Sequence, residues 1–188
     1  MALQRDFSTI LIERDRVAQR VHELGHQITR DLREAGVNLD DPQAANSRVV
    51  IIAVLTGAMV FVADLIREMP VKLHIELVAV SSYPGTSVES KGVKMKTALP
   101  SDLGGAHVLL IDDILDSGQT LHTLVDLIGR QHPASLRTCV LLRKPGKAKI
   151  DIKPDYVGFD IPDEFVVGYG LDFDGLYRNF PGIAVLRR

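Results

Sequence analysis

The spacing of hydrophobic residues changes abruptly within the first third of the chain. From Val17 to Leu32, apolar residues recur every three or four positions with charged residues between them. This pattern predicts an amphipathic helix of about five turns, and Gly36 suits the left-handed conformation that ends many helices. Residues 49–55 form instead an uninterrupted apolar run rich in β-branched side chains. Such a run predicts a strand that is buried on both faces.

Two strand-helix-strand units follow from similar patterns. Residues 58–69 have helical spacing and stop before a proline, and residues 73–80 have the composition of a strand. A second unit comprises a strand at 107–111, a helix at 119–131 and a strand at 136–142. Strands joined by helices in this way pair in parallel. The sequence therefore predicts an α/β fold with a parallel sheet.

The segments outside these units predict a loop and a small hood. Residues 82–105 are rich in glycine and proline and have few apolar positions, which predicts a long flexible loop. Beyond residue 150, prolines and glycines separate short strand-like pieces, at 156–160, 166–169 and 183–186. We expect one domain over residues 1–188, with a core at about 37–150 and a hood formed by the N-terminal segment and about 151–188.

Composition and charge narrow the class of partner. The chain has 188 residues and a net charge of -2, so no overall basic field would attract nucleic acid or an anionic membrane. The longest apolar stretch, residues 49–63, is shorter than the roughly 20 residues of a membrane span. Charged residues interrupt the N-terminal apolar run, unlike a signal peptide. We therefore expect a cytoplasmic protein, and the lone Cys139 excludes an intrachain disulfide.

An acidic segment follows the strand predicted at 107–111. Asp112, Asp113 and Asp116 precede a turn of small residues, 117–120, that opens the next helix. This turn can offer backbone N–H groups and a hydroxyl to one phosphate, because glycine permits close approach and a helix start has unpaired donors. A helix N-cap would explain one carboxylate but not three. The others need diol hydroxyls, a metal ion or its waters, so we expect a ribose-phosphate site.

Three segments of the sequence carry a resemblance to a known family. VLLIDDILDSGQT (108–120) resembles the phosphoribosyl-pyrophosphate signature of the type I phosphoribosyltransferases. VGFDIPDEF (157–165) and VVGYGLDF (166–173) are similar to the hood of the hypoxanthine-guanine members of that family. The resemblance implies the type I phosphoribosyltransferase fold, with a Rossmann-like core and a small C-terminal hood. It also implies an Mg²⁺-dependent enzyme, a homodimer or homotetramer, that joins hypoxanthine or guanine to the phosphoribosyl group of 5-phosphoribosyl 1-pyrophosphate.

The resemblance assigns roles within the acidic segment. Asp112 and Asp113 would hold the ribose hydroxyls and, together with Asp172, the Mg²⁺ ion. Asp116 would be the general base for the proton on the five-membered ring of the purine. The residues implied around the 5′-phosphate are Asp116, Ser117, Gly118, Gln119 and Thr120.

The resemblance implies three further groups of residues. Those implied for pyrophosphate are Leu55, Thr56, Gly57 and Arg178, and the family has a non-proline cis peptide in this loop. Those implied for the purine are Lys144, Phe165, Val166 and Asp172, with the lysine donating to the six-position oxygen. Ser82 and Tyr83 would belong to a loop that closes over the site. Taken singly, these residue types also suit a strand-ending turn, a surface lysine, a core phenylalanine and a disordered insertion.

Two other functions fit parts of this pattern. One is a phosphoribosyltransferase for another base, such as xanthine; Lys144 and Phe165 favour a six-oxo purine. The other is a non-catalytic regulator that senses nucleotides on the same fold. The presence of Asp116 and the net charge of -2 both disfavour a regulator, whether it senses nucleotides or binds RNA.

His22 and His26 are the remaining candidates for metal chemistry. They lie four residues apart on the first predicted helix, a spacing that can hold zinc. The sequence offers no third ligand in a matching pattern. We therefore expect packed or solvated histidines at these positions.

Overall fold

The chain folds into two β-sheets with helices packed on the larger one. The structure is a computed structural model and describes residues 3–41, 44, 46–81 and 94–187. In chain order the strands and α-helices are β1 (Phe7–Ile12), α1 (Arg14–Glu34), β2 (Val49–Leu55), α2 (Met59–Leu65), β3 (His74–Ser81), β4 (Lys94–Met95), β5 (His107–Leu115), α3 (Gln119–Gly129), β6 (Ser135–Arg143), β7 (Tyr156–Asp160), β8 (Val166–Val167) and β9 (Ile183–Leu186). Short 3-10 helices cover Leu3–Asp6 and Ile66–Glu68. Ser82 and Tyr83 lie outside the described residues.

The larger sheet is built around β2 and β5. Its six strands lie in the order β4-β3-β2-β5-β6-β7, and all neighbours except the edge pair β3 and β4 are parallel. Alternate residues of β2 enter two apolar clusters, one shared with α1 and α2 and the other shared with α3. The sheet therefore lies between two helical layers. The predicted α/β fold with a parallel sheet is confirmed.

α1 is the amphipathic helix that the sequence predicts. Its buried apolar residues are Val17, Val21, Leu24, Ile28 and Leu32, the stripe identified from their spacing. Gly36, just beyond the helix, has a φ of +77° and so adopts the expected left-handed conformation. The strand predicted at 49–55 has the same bounds as β2, and every residue of it except the last is buried.

A second sheet joins the two ends of the chain. It is three-stranded and antiparallel in the order β1-β9-β8, with Phe7 opposite Leu186. β1, β8 and β9 lie in the segments where we expect the hood, whereas β7, which also lies beyond residue 151, pairs with β6 in the larger sheet. The strand predicted at 166–169 ends at Val167, because Gly168 turns the chain with a φ of +102°.

β5 is longer than the sequence predicts. Instead of covering only residues 107–111, it continues to Leu115, because its backbone keeps pairing with β6 as far as Arg143. Asp112 and Asp113 therefore lie within the strand and not in the turn after it. The acidic side chains are held by the sheet itself.

Three other predictions need smaller corrections. The helix predicted at 58–69 gives way to a 3-10 helix after Leu65, and the helix predicted at 119–131 ends at Gly129. Within the predicted loop 82–105, strand β4 extends the larger sheet at its edge. Among the helices of the described ranges, none has the length and apolarity to cross a bilayer.

Candidate active site

A cleft of about 430 Å³ opens at the carboxyl ends of β2 and β5. Open α/β sheets bind ligands at this edge. The predicted site residues that line the cleft come from the end of β2 and the loop after it, from the end of β5 through the start of α3, and from the segment after β8. They are Leu55, Thr56, Gly57, Asp112, Asp113, Asp116, Ser117, Gly118, Thr120, Asp172 and Arg178. Among the predicted site residues that the structure describes, those outside this lining are Gln119, Lys144, Phe165 and Val166.

Asp112 and Asp113 place two largely buried carboxylates side by side. The N–H of Asp113 donates to Asp112 Oδ1 at 2.9 Å, and the N–H of Ile114 donates to Asp113 Oδ1 at 2.8 Å. Burial raises the pKa of both carboxyls, and the neighbouring charge of Asp113 raises the pKa of Asp112 further. Such a pair is stabilised as ions by hydroxyl donors or by a cation. The cleft therefore favours a ligand that supplies one or both.

Gly57 brings the backbone of the loop after β2 against this acid pair. A Cβ atom at residue 57 would lie 1.6 Å from Asp113 Oδ2, so only glycine fits there. The peptide bond between Leu55 and Thr56 is cis, as the resemblance implies for this loop. The loop after β2 and the two carboxylates thus line the same cleft.

The turn between β5 and α3 presents the start of α3 to the cleft. Gly118 has a φ of +81°, a left-handed conformation that glycine adopts readily. The hydroxyl of Ser117 accepts from the N–H of Gln119 at 3.4 Å, and its carbonyl accepts from the N–H of Lys149 at 3.1 Å. N–H groups in the first turn of a helix favour an anion. This turn can therefore bind a phosphate group.

Asp116 lies beside Lys147, and both Lys147 and Lys144 contact Asp163. The sequence interpretation included Lys144 but neither Lys147 nor Asp163. Lys147 Nζ is 3.3 Å from Asp116 Oδ1 and also pairs with Asp163. Hydrogen bonding to Asp163, with a further contribution from Asp116, raises the pKa of Lys147. The predicted Lys144 is buried, and its Nζ lies 3.3 Å from Asp163 Oδ1. The sequence signal that could have identified Lys147 is its place three residues after Lys144, at the end of a turn that folds back on its first residue.

Asp172 and Arg178 form the hood's side of the cleft. Arg178 Nη2 lies 2.6 Å from Asp172 Oδ1, and its Nη1 donates to the carbonyl of Gly170 at 2.5 Å. The carboxylate of Asp172 also accepts from the N–H of Gly175 at 2.8 Å. A Cβ at residue 170 would lie 2.1 Å from the carbonyl oxygen of Gly57, so the hood contacts the loop after β2 directly.

Phe165 lies by a second hollow, and neither Phe165 nor Val166 lines the cleft of the acid pair. Phe165 lines a hollow of about 760 Å³, and its ring meets that of Phe173 edge to face with centroids 5.7 Å apart. The two rings are 44% and 53% exposed, so they offer an apolar surface to a planar ligand. Val166 is buried in β8, opposite Val185. The sequence interpretation did not include Phe173.

The chain is similar to known proteins over nearly its whole length. The family described as phosphoribosyl transferase domain matches residues 21–174. The hypoxanthine-guanine phosphoribosyltransferases of Mycobacterium tuberculosis and Bacillus subtilis are 42% and 40% identical to it, over 96% and 98% of this chain and 87% and 96% of theirs. A crystal structure of a hypoxanthine phosphoribosyltransferase from Staphylococcus aureus matches with a TM-score of 0.87 at 35% identity, covering 100% of this chain and 95% of that one. This chain belongs to the phosphoribosyl transferase family.

Proposed function

We propose that this chain is a purine-salvage enzyme that transfers the phosphoribosyl group of 5-phosphoribosyl 1-pyrophosphate to hypoxanthine or guanine. The products would be IMP or GMP and pyrophosphate. One observation carries the proposal: the acid pair Asp112 and Asp113, the phosphate turn before α3, and Arg178 all line one cleft. The relatives named hypoxanthine-guanine phosphoribosyltransferase support the same reaction.

The ribose and its 5′-phosphate would bind along the end of β5. Ser117, Gly118 and Thr120 line the cleft where α3 begins, and N–H groups at the start of a helix suit a phosphate. Asp112 and Asp113 would accept hydrogen bonds from the ribose hydroxyls. Both carboxylates are part of a strand in the middle of the sheet, so little reorganisation is needed to bind the diol.

The carboxylates of the cleft fit Mg²⁺. Mg²⁺ prefers oxygen ligands and keeps several waters, and one or two protein carboxylates are enough to hold it. Asp112 and Asp113 are desolvated carboxyls whose pKa values burial raises, and a cation in the cleft would stabilise their ionised forms. Asp172 lines the same cleft from the hood. When bound, Mg²⁺ would supply positive charge that neutralises the leaving pyrophosphate.

Pyrophosphate would leave between the loop after β2 and the hood. Gly57 offers close backbone approach, and Arg178 has a guanidinium held in place by Asp172 and by the carbonyl of Gly170. As the bond from C1′ to the pyrophosphate oxygen breaks, the ribose ring gains oxocarbenium character and the leaving group gains negative charge. A pre-positioned guanidinium stabilises that charge without reorganisation.

The purine would enter on the side of Asp116 and Lys144. Asp116 would take the proton of the five-membered ring as the bond from nitrogen to C1′ forms. Lys144, buried with Asp163 beside it, would donate to the six-position oxygen and reject adenine, which presents an amino group there. Phe165 would stack on the base through its exposed face.

The test is a set of initial rates with 5-phosphoribosyl 1-pyrophosphate and each of hypoxanthine, guanine, xanthine and adenine, with and without Mg²⁺. Product absorbance reports turnover, and we expect activity with the first two bases only when Mg²⁺ is present. Asp116→Asn should lower kcat about a hundredfold or more while IMP still binds. Asp126→Asn is the matched control, because this carboxylate is exposed on α3 and its Oδ2 lies 3.7 Å from His122 Nε2, a long distance for an ion pair. Full turnover in the Asp116 variant would reject its role as the base.

A further inference from the structure

A cluster of two histidines and a glutamate lies outside the cleft, on the surface of α1. His22 Nδ1 is 2.6 Å from Glu68 Oε2, and the ring centroids of His22 and His26 are 4.4 Å apart. One ligand atom from each of the three side chains lies within 4.8 Å of the others. Both histidines are exposed, and Glu68 is only half-buried, so all three can be reached from solvent.

We propose that His22, His26 and Glu68 form a binding site for a divalent transition metal such as Zn²⁺. Two imidazoles and one carboxylate are a common ligand set for zinc, and tetrahedral coordination places such ligands about 3.3 Å apart. The exposed side chains can reach that spacing by small rotations about their χ angles. Imidazole ligands also distinguish this site from the all-oxygen cleft, which suits Mg²⁺.

The backbone around the cluster is shaped to bring the glutamate close to α1. Glu68 ends the 3-10 helix Ile66–Glu68 that follows α2, whereas both histidines lie on α1. A Cβ at Gly25 would lie 2.5 Å from Glu68 Cβ and 2.8 Å from its carbonyl oxygen. Glycine at residue 25, between the two histidines, is therefore what allows the third ligand to approach. A metal bound here would fasten the 3-10 helix to α1.

The site is assigned to metal binding and not to hydrolysis. Residues 22–26, HELGH, have the H-E-x-x-H spacing in which the glutamate acts as a general base in zinc peptidases. In this chain, however, the carboxylate of Glu23 accepts from Arg20 and from Gln19, each at 3.0 Å. Both carboxylate oxygens of Glu23 are thus engaged by neighbours on α1. The role proposed for the metal is therefore structural.

Isothermal titration of the metal-free full chain with ZnCl₂, in excess Mg²⁺, tests the proposal. We expect one zinc site whose affinity falls at least tenfold in each of His22→Asn, His26→Asn and Glu68→Gln, since changes even to residues behind metal ligands cost 10–100-fold. Two controls should keep the affinity of the unaltered chain: Glu23→Gln, inside the same motif, and His122→Asn, an exposed histidine on α3.

A thermal melt provides the second readout. Zn²⁺ should raise the Tm of the unaltered chain and of both controls, but not that of the three ligand variants, because only a ligand of the folded state stabilises it. The melts without zinc show whether each variant folds. Zinc affinity that is unchanged in the three ligand variants, or lowered equally in the controls, would overturn the proposal.

Discussion

The change Gly57→Ala adds one methyl group where the loop after β2 meets the acid pair. The new Cβ would lie 1.6 Å from Asp113 Oδ2 and 2.5 Å from its Cγ, whereas Cβ contacts under 3.0 Å are essentially never seen. Either the loop or the carboxylate must therefore shift by more than about 1 Å. A shift of this size in a catalytic group costs about a hundredfold in rate.

We therefore expect Gly57→Ala to lower kcat/KM about a hundredfold. Forcing an extra methyl group into a packed site should also lower the free energy of unfolding by about 1–3 kcal/mol. Initial rates with hypoxanthine measure the first effect, and urea denaturation measures the second. Gly129→Ala is the matched control, because a Cβ at that residue, in the last turn of α3, meets nothing within 4 Å.

A double variant identifies the clash as the cause. All three of the atoms nearest to the new Cβ belong to Asp113, so Gly57→Ala should destabilise the chain less when Asp113→Ala is already present. The two changes then fail to add, as expected for residues in contact. Equal destabilisation in both backgrounds, or an unchanged kcat/KM in the single variant, would refute this reasoning.

Two other predictions concern selectivity and pH. Lys144→Gln replaces an obligate donor by an amide that also accepts, so the ratio of kcat/KM for hypoxanthine to that for adenine should fall at least tenfold, as competing-base kinetics would show. Burial raises the pKa of Tyr156 from 10.0 to about 12, and its hydroxyl donates to Asp31 and accepts from Arg137. The folded chain thus keeps a proton that the unfolded chain loses, so the free energy of unfolding should fall between about pH 10 and pH 12. Urea denaturation across this range should show a smaller fall in Tyr156→Phe, and an identical fall would contradict the assignment.

The sequence predicts most of the fold, because the spacing of apolar residues indicates which positions of each strand and helix are buried. β2 has the bounds predicted for it, since both of its faces meet apolar clusters and every position but the last is buried. β5 was predicted too short for a physical reason: pattern rules end a strand at charged residues. The backbone of Asp112 and Asp113 nevertheless continues the ladder with β6, and the paired carboxylates are held by the sheet.

For the site, prediction depended on whether the role of a residue comes from its own segment or from a contact with a distant segment. Residues that act through their place in a segment, such as Ser117 and Gly118 before α3, were predicted and do line the cleft. Partners joined only by the fold were missed. Lys147 pairs with Asp116 although the two residues belong to different turns. Glu68 contacts His22, which is 46 residues away in the sequence. Neither contact leaves a local pattern in the sequence, because each depends on how distant segments pack in the folded chain.

Two close contacts at glycines connect the acid pair to the side of the cleft that carries Arg178. Asp113 lies against Gly57, and the carbonyl of Gly57 lies against Gly170, whose own carbonyl accepts from Arg178. Each contact leaves no room for a Cβ, so the hood cannot move closer to the sheet at this point without a clash. The position of Arg178 relative to Asp112 and Asp113 therefore depends on close packing at two glycines. Such packing suits a reaction in which charge moves from the sugar carbon to the leaving group between two pre-positioned sites.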